Sequence, residues 1–165
     1  NDLITELLTS SKPAEMVLEK IVMQNVIDEA IAAAVDRLTL KQIKLKLSYP
    51  ETPCYVKGDI SKLKIAFLNI IINAIEAMDN EKGELSIALT SNEENHIVEI
   101  TDNGCGIPTE NLSRLFEPFF TSKRNGIGLG LASTLNILQA HHATVEVKSR
   151  VKTGTTFILT FNQEK

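Results

Sequence analysis

Two asparagines and a glutamate recur along one helical pattern with the spacing of a single helix face. Asn69, Asn73 and Glu76 stand at positions i, i+4 and i+7, so their side chains line one side of a helix. Asparagine is a poor helix former, which costs roughly a few tenths of a kcal/mol relative to alanine. The pattern therefore favours a need for amide oxygens, which suit Mg²⁺ because this ion takes few protein ligands. An ordinary solvated face is the alternative interpretation.

A carboxylate followed by two glycines ends the next apolar run. The stretch from Asp102 reads Asp-Asn-Gly-Cys-Gly-Ile, and it follows the alternating segment 96–101. Gly104 and Gly106 would let the backbone come close to a flat ligand while the carboxylate reads a polar edge. The same residues also make ordinary turns, so both interpretations stay open at this point.

A third segment has the composition of a phosphate cradle. Gly126, Gly128 and Gly130 alternate with Ile127 and Leu129 at the start of a predicted helix, where backbone N–H groups and the helix dipole favour anions. The spacing is neither the dinucleotide-binding fingerprint nor a P-loop. A flexible hinge is the alternative.

Two further segments accompany the glycine run. Three of the six phenylalanines fall at 116–120, in a loop that ends at Lys123. The loop is either a lid, with Lys123 reaching phosphate, or a satellite apolar cluster. Residues 153–157, Thr-Gly-Thr-Thr-Phe, read as a hairpin turn that opens the last strand.

The overall composition restricts the class of protein. The chain has 165 residues, 43% hydrophobic content and a formal net charge of −4, which indicates one globular domain without a basic surface for nucleic acid or anionic membrane. Cys54 and Cys105 show no zinc-site or disulfide-scaffold pattern and favour a reducing compartment. The three histidines are not spaced for a metal, and His141-His142 is interpreted as a structural pair at a helix C-terminus.

The helices and strands that must position these residues alternate in groups along the chain. Helices are predicted over 25–38, 59–79 and 128–140, the second with Asp59 as its N-cap. Strands are predicted over 43–47, 54–57, 84–91, 96–101, 144–150 and 155–161, with 15–22 extended and 102–127 mostly irregular. The order predicts an α+β fold with one sheet and helices packed on one face.

Taken in order, the five motif segments resemble the N, G1, F, G2 and G3 boxes of bacterial sensor histidine kinases. The first of them, residues 69–77, ends in Asn-Ala-Ile-Glu-Ala, a form that resembles the subgroup that includes nitrogen-regulation sensor kinases. The resemblance covers residues ~15–165. It implies a catalytic ATP-binding domain of the Bergerat type, a two-layer α/β sandwich with a mixed, mostly antiparallel sheet, which is shared with gyrase, the Hsp90 chaperones and MutL.

The resemblance also implies roles for individual residues. Asp102 would accept from the adenine amino group, with Thr155 nearby through water. Asn73 would bind Mg²⁺, and Asn69 would support the metal–phosphate side and share the catalytic role with Asn73. Glu76 would order that face. The remaining implied ATP-binding residues are Gly104, Gly106, Ile107, Lys123, Gly126, Gly128, Leu129, Gly130 and Leu131.

Two departures qualify the resemblance. Gyrase-like ATPases carry a water-activating glutamate at the position of Asn69, so an asparagine suits a kinase that delivers phosphoryl to another group. None of the three histidines has the His-Glu/Asp setting of the family's phosphoacceptor. Residues 1–14 are therefore interpreted as the end of an upstream dimerisation and phosphoacceptor helix with its linker, and 15–165 as the catalytic domain.

The resulting expectation is a protein-histidine kinase domain that uses ATP and Mg²⁺. Its expected partners are its own histidine-containing dimerisation domain, in cis or trans, and a response regulator receiver domain through the full-length kinase. No nucleic acid and no direct membrane contact are expected, and the expected location is cytoplasmic, whether or not the parent sensor is membrane-bound. The alternatives are a Bergerat-fold ATPase of the MutL kind and an anti-sigma-type serine kinase or nucleotide-binding regulatory module.

Overall fold

The computed structural model describes residues 16–79, 82–117 and 130–164. The helix interpreted in 1–14 and four of the implied phosphate-side residues, Lys123, Gly126, Gly128 and Leu129, lie outside the described residues.

The described residues form an α+β fold. The strands are β1 Glu19–Val22, β2 Lys44–Ser48, β3 Tyr55–Gly58, β4 Glu84–Ser91, β5 Asn95–Asp102, β6 Thr144–Arg150 and β7 Gly154–Asn162. The helices are α1 Met23–Leu40, α2 Ile60–Ala77, α3 Thr109–Leu112 and α4 Gly130–Ala140.

The main sheet has the strand order β2-β4-β5-β7-β6. Strand β2 pairs in parallel with β4, and the other three pairings of this sheet are antiparallel. Strands β1 and β3 form a separate antiparallel pair, which the sequence patterns did not indicate.

The core lies between the main sheet and the helices on one of its faces. Strands β4, β5 and β7 alternate buried with less buried side chains, as expected of a sheet that is covered on one side. Helix α2 is central, because it contacts α1, α4 and β5. Its buried face consists of Leu63, Ala66, Phe67, Ile70, Ile71, Ala74 and Ile75. The predicted α+β class, with helices on one face of a mostly antiparallel sheet, is confirmed.

Asp59 starts α2 as an N-cap, as the sequence predicts. Its carboxylate accepts hydrogen bonds from the backbone N–H of Lys62 at 3.2 Å and of Val17 at 3.1 Å. The first bond satisfies a donor that the helix itself leaves unpaired. The second ties the segment before β1 to the start of α2.

His141 connects the start of α2 to the end of α4. The backbone N–H of Asp59 donates to His141 Nε2 at 3.0 Å, so Nε2 acts as an acceptor. The proton of the neutral ring therefore lies on Nδ1, which donates to the Ile137 carbonyl at 2.7 Å. A Cβ at Gly58 would lie 2.9 Å from the His141 ring, which explains the glycine. The structural interpretation of His141 is confirmed.

Replacing Asp59 with alanine is expected to destabilise the domain. The change leaves two backbone N–H groups without their acceptor, and the free energy of unfolding should fall by about 1–2 kcal/mol. Urea denaturation followed by circular dichroism measures the effect, with Asp36→Ala on the exposed side of α1 as the matched control. Equal stability of the two variants would show that the cap and the bond to Val17 contribute nothing.

Candidate functional site

Asp102 ends β5 at the point where the glycine turn is closed against α2. Its side chain is buried, and Oδ1 accepts from the backbone N–H of Gly104 at 2.8 Å. The next residue, Cys105, donates its N–H to the Ala77 carbonyl at 3.0 Å. A Cβ at Gly104 would lie 2.4 Å from that same carbonyl oxygen. The turn therefore rests directly on the last residue of α2.

The β6–β7 hairpin closes on the other side of the same turn. Gly106 has a φ of +76°, and a Cβ there would lie 2.2 Å from the Arg150 carbonyl oxygen. A Cβ at Gly154, which has a φ of +136°, would lie 2.0 Å from the Asp102 carbonyl oxygen. Lys152 donates its N–H to the Cys105 carbonyl at 2.7 Å. Only glycine permits these approaches.

The structure gives a different reason for the two glycines of the turn from the one that the sequence suggested. The sequence predicted that Gly104 and Gly106 would bring backbone close to a flat ligand. The structure shows that both bring backbone close to other backbone, at Ala77 and Arg150. Their contact with a ligand stays a prediction.

Ser149 is a member of this site that the sequence analysis missed. Its Oγ accepts from the backbone N–H of Ile107 at 2.7 Å and lies 2.7 Å from Thr155 Oγ1 and 3.0 Å from the Gly154 carbonyl oxygen. One hydroxyl thus joins the residue after the glycine turn to the start of β7. A single serine within an alternating strand gives no sequence signal for such a role.

Asn103 is a second residue that the sequence analysis passed over. Its Oδ1 accepts from the backbone N–H of Glu84 at 2.9 Å, and its Nδ2 donates to the Lys82 carbonyl at 2.9 Å. The side chain therefore anchors the glycine turn to the start of β4. The tendency of asparagine to bond nearby backbone in turns was the available signal.

The carboxyl group of Asp102 is held in an environment that disfavours its charge. Burial raises the pKa of Asp102 above 3.8, and the hydrogen bonds from the N–H groups of Gly104 and Thr155 lower it by less. Thr155 is itself buried and is the cross-strand neighbour of Asp102. A buried acceptor of this kind suits a ligand that brings a hydrogen-bond donor.

The asparagine stripe of α2 runs from this turn towards the start of α4. Asn69 and Asn73 are half-buried, and Glu76 is exposed next to Ala77. The Asn69 Nδ2 donates to the Gly130 carbonyl and to Thr134 Oγ1, each at 3.2 Å. Asn69 is thus engaged with α4, a contact that the spacing alone did not predict. Its planar amide turns Oδ1 away from these two acceptors.

The structure brings together most of the described residues that the sequence singled out. Helix α2 carries the asparagine stripe, and its last residue supports the turn that contains Asp102. Gly130 and Leu131 begin α4 beside Asn69, and Ile107 joins the G3 segment through Ser149. The amide oxygens on α2 are hard, neutral metal ligands of the kind that fit Mg²⁺ together with phosphate and water.

Comparison with known proteins decides the family. Residues 58–165 match the family described as histidine kinase-, DNA gyrase B- and HSP90-like ATPase. The chain belongs to this family. The match spans the asparagine stripe, the glycine turn and the β6–β7 hairpin, so the resemblance drawn from the five boxes is confirmed, and the domain is an ATP-binding domain.

Individual relatives of this ATP-binding domain are sensor kinases. Sporulation kinase A of Bacillus subtilis is 36% identical over 160 residues, which cover 96% of this chain and 26% of that protein. The sensor histidine kinase ZraS of Escherichia coli is 30% identical over 159 residues, which cover 96% of this chain and 34% of that protein. The chain thus spans about a quarter to a third of the length of these relatives.

A solved structure of the mycobacterial sensor histidine kinase MprB has the same fold. It superposes with a TM-score of 0.80 at 29% identity and covers 90% of this chain and 99% of that one. The predicted two-layer architecture is therefore confirmed. Among the residues that the structure describes, no helix is both long and apolar enough to cross a bilayer.

Asp102→Asn is expected to change how stability depends on pH. Because the folded protein holds the pKa of Asp102 above 3.8, the native state binds more protons than the unfolded chain just above that pH. Proton binding by Asp102 therefore stabilises the folded wild type at low pH, and the free energy of unfolding loses this contribution as the pH rises through the folded pKa. The variant has no such titration, so its stability relative to the wild type should increase from pH ~3 to 7.

Urea denaturation at a series of pH values measures this difference. The control is Asp36→Asn, which removes an exposed carboxylate. A difference between Asp102→Asn and wild type that is constant or decreases with pH would contradict the assigned direction.

Proposed function

We propose that this domain binds ATP with Mg²⁺ and positions the γ-phosphate for in-line transfer to a histidine on a dimerisation domain. The activity is that of a protein-histidine kinase in two-component signalling. One observation carries the proposal: a buried carboxylate, Asp102, is locked by backbone contacts to the end of the helix that presents Asn69 and Asn73. The names of the sequence relatives support it.

The adenine end of the proposed site is Asp102. Its carboxylate accepts from the exocyclic amino group of adenine, and it would repel the carbonyl that guanine has at that position. The hydroxyl of Thr155, held by Ser149 at 2.7 Å, assists through water. Gly104, Gly106 and Ile107 form the wall next to this edge.

The phosphate end of the proposed site lies along α2 and the start of α4. Asn73 provides the amide oxygen for Mg²⁺, and Asn69 supports the same face. When bound, Mg²⁺ neutralises charge on the phosphates. Lys123 and the backbone amides of the glycine run hold phosphate oxygens, as the resemblance implies. The chain supplies position and charge compensation, which are the main requirements of phosphoryl transfer.

Asn69 distinguishes a kinase from an ATPase within this family. A neutral amide cannot act as a general base, and its Nδ2 is bonded to Gly130 and Thr134. The MutL-like ATPase alternative needs a base to activate water. The serine-kinase or regulatory-module alternative needs no histidine acceptor, and the transfer experiment below separates it.

The partners follow from the proposed reaction. The phosphoryl acceptor is the histidine of the parent protein's dimerisation domain, in cis or in trans, and a response regulator receiver domain receives the phosphoryl group from that histidine. We place the domain in the cytoplasm, where ATP and response regulators are available.

Asp102→Asn is expected to weaken ATP binding about 10- to 150-fold, because a hydrogen bond to a charged group contributes about 1.5–3 kcal/mol. Isothermal titration calorimetry with ATP and GTP measures the loss and the change in base preference, with Asp36→Asn as the control. Unchanged ATP affinity would mean that the adenine assignment is wrong.

The chain alone is expected to bind ATP without phosphorylating itself. Incubation with γ-labelled ATP should leave no label on the purified chain, and the label should appear on a separately produced dimerisation domain of the parent kinase when that is added. Asn73→Ala should abolish this transfer. Label retained on this chain would contradict the proposal, and steady phosphate release without acceptor would favour the ATPase alternative.

A further inference from the structure

The contact between α2 and α4 contains a buried hydroxyl that the proposed reaction does not yet use. Thr134 has no exposed surface, although it lies one turn into α4. Its Oγ1 donates to the Gly130 carbonyl at 2.7 Å and accepts from Asn69 Nδ2 at 3.2 Å. We propose that Thr134 is a positioning residue that fixes the amide of Asn69 so that its Oδ1 faces the metal and phosphate side; this rests on the function proposed above.

The direction of the two hydrogen bonds follows from the chemistry of the acceptors. The Gly130 carbonyl has no hydrogen to give, so the Thr134 hydroxyl must direct its proton towards it. The lone pairs of Oγ1 are then left to accept from Asn69. The Gly130 carbonyl is also 3.2 Å from Asn69 Nδ2. The NH₂ group of Asn69 therefore faces two acceptors, the Gly130 carbonyl and Thr134 Oγ1.

An asparagine amide can normally be turned over at little steric cost, since its oxygen and nitrogen ends have nearly the same shape. Here the turned amide would place Oδ1 against the Gly130 carbonyl and against a hydroxyl oxygen whose proton is already committed. Both contacts would be repulsive. The Gly130 carbonyl and the Thr134 hydroxyl therefore enforce the observed orientation together, with nitrogen towards α4 and oxygen away from it.

Packing alone does not require a hydroxyl at this position. Valine has nearly the same shape as threonine and would fill the same space without a polar atom to satisfy. A buried hydroxyl is tolerated because both of its hydrogen bonds are made. Because one of them ends on Asn69, Thr134 links the orientation of an α2 side chain to the first turn of α4, where Gly130 and Leu131 begin the phosphate side.

The test compares Thr134→Val, which removes the hydroxyl, with Thr134→Ser, which keeps it. Calorimetry measures ATP affinity of the whole chain in excess Mg²⁺ and again in EDTA, and the ratio of the two affinities is the Mg²⁺ effect. Thr134→Val should reduce this ratio about 3- to 10-fold while the affinity in EDTA stays near that of the wild type. Thr134→Ser should keep the wild-type ratio. In an Asn69→Ala background, Thr134→Val should cause no further reduction.

Each of the following results would overturn the inference: an equal loss of affinity with and without Mg²⁺, a serine variant that behaves like the valine variant, or full additivity with Asn69→Ala. If Thr134→Val does not fold, Thr134→Ala removes the same hydroxyl and is judged by the same ratio. A wild-type chain that binds ATP with a Mg²⁺ effect while Thr134→Val leaves it unchanged refutes only this inference. A wild-type chain without ATP binding or Mg²⁺ effect refutes the proposed function together with it.

Discussion

The whole site depends on close contact between backbone segments at the glycine turn. Gly104 lies against Ala77, and a Cβ at Gly106 or Gly154 would come within 2.2 Å or 2.0 Å of a carbonyl oxygen. These contacts join the end of α2, the end of β5 and the β6–β7 hairpin at one point. No side chain can be added there without separating the segments, so the position of Asp102 relative to α2 is set by the backbone itself.

The same contacts explain why a carboxylate can be held at a buried position that disfavours its charge. Burial raises the pKa of Asp102, so ionisation of this carboxyl group reduces the stability of the fold. The hydrogen bonds from Gly104 and Thr155 offset part of this cost, and Ser149 holds Thr155 in place. A residue that lowers the stability of the unliganded protein but offers a hydrogen-bond acceptor to a ligand is expected at a functional site.

The sequence predicted those features that depend on local chemistry. Strands β4 and β6 have the predicted bounds, and Asp59 caps α2, because alternation and capping are properties of a few neighbouring residues. The pairing of β1 with β3, the role of Ser149 and the contact of Asn69 with Thr134 were not predicted. Each depends on a partner distant in the chain, and a lone serine or threonine does not indicate which partner it will have.

Helix α2 carries both ends of the site on one rigid element. Asn69 and Ala77 are eight residues apart, which at the helical rise separates Asn69, on the proposed phosphate side, from the support of the glycine turn by about 12 Å. Three hydrogen bonds join α2 and its N-cap to α4 and the residue after it: one from the Asp59 N–H to His141, and two from Asn69 Nδ2 to the Gly130 carbonyl and to Thr134. Because the bond to Gly130 lies at the first residue of α4 and the bond to His141 lies just after its last residue, the two helices cannot rotate against each other without breaking one of them. The orientation of the Asn69 amide is thus coupled to the docking of α4 as a whole.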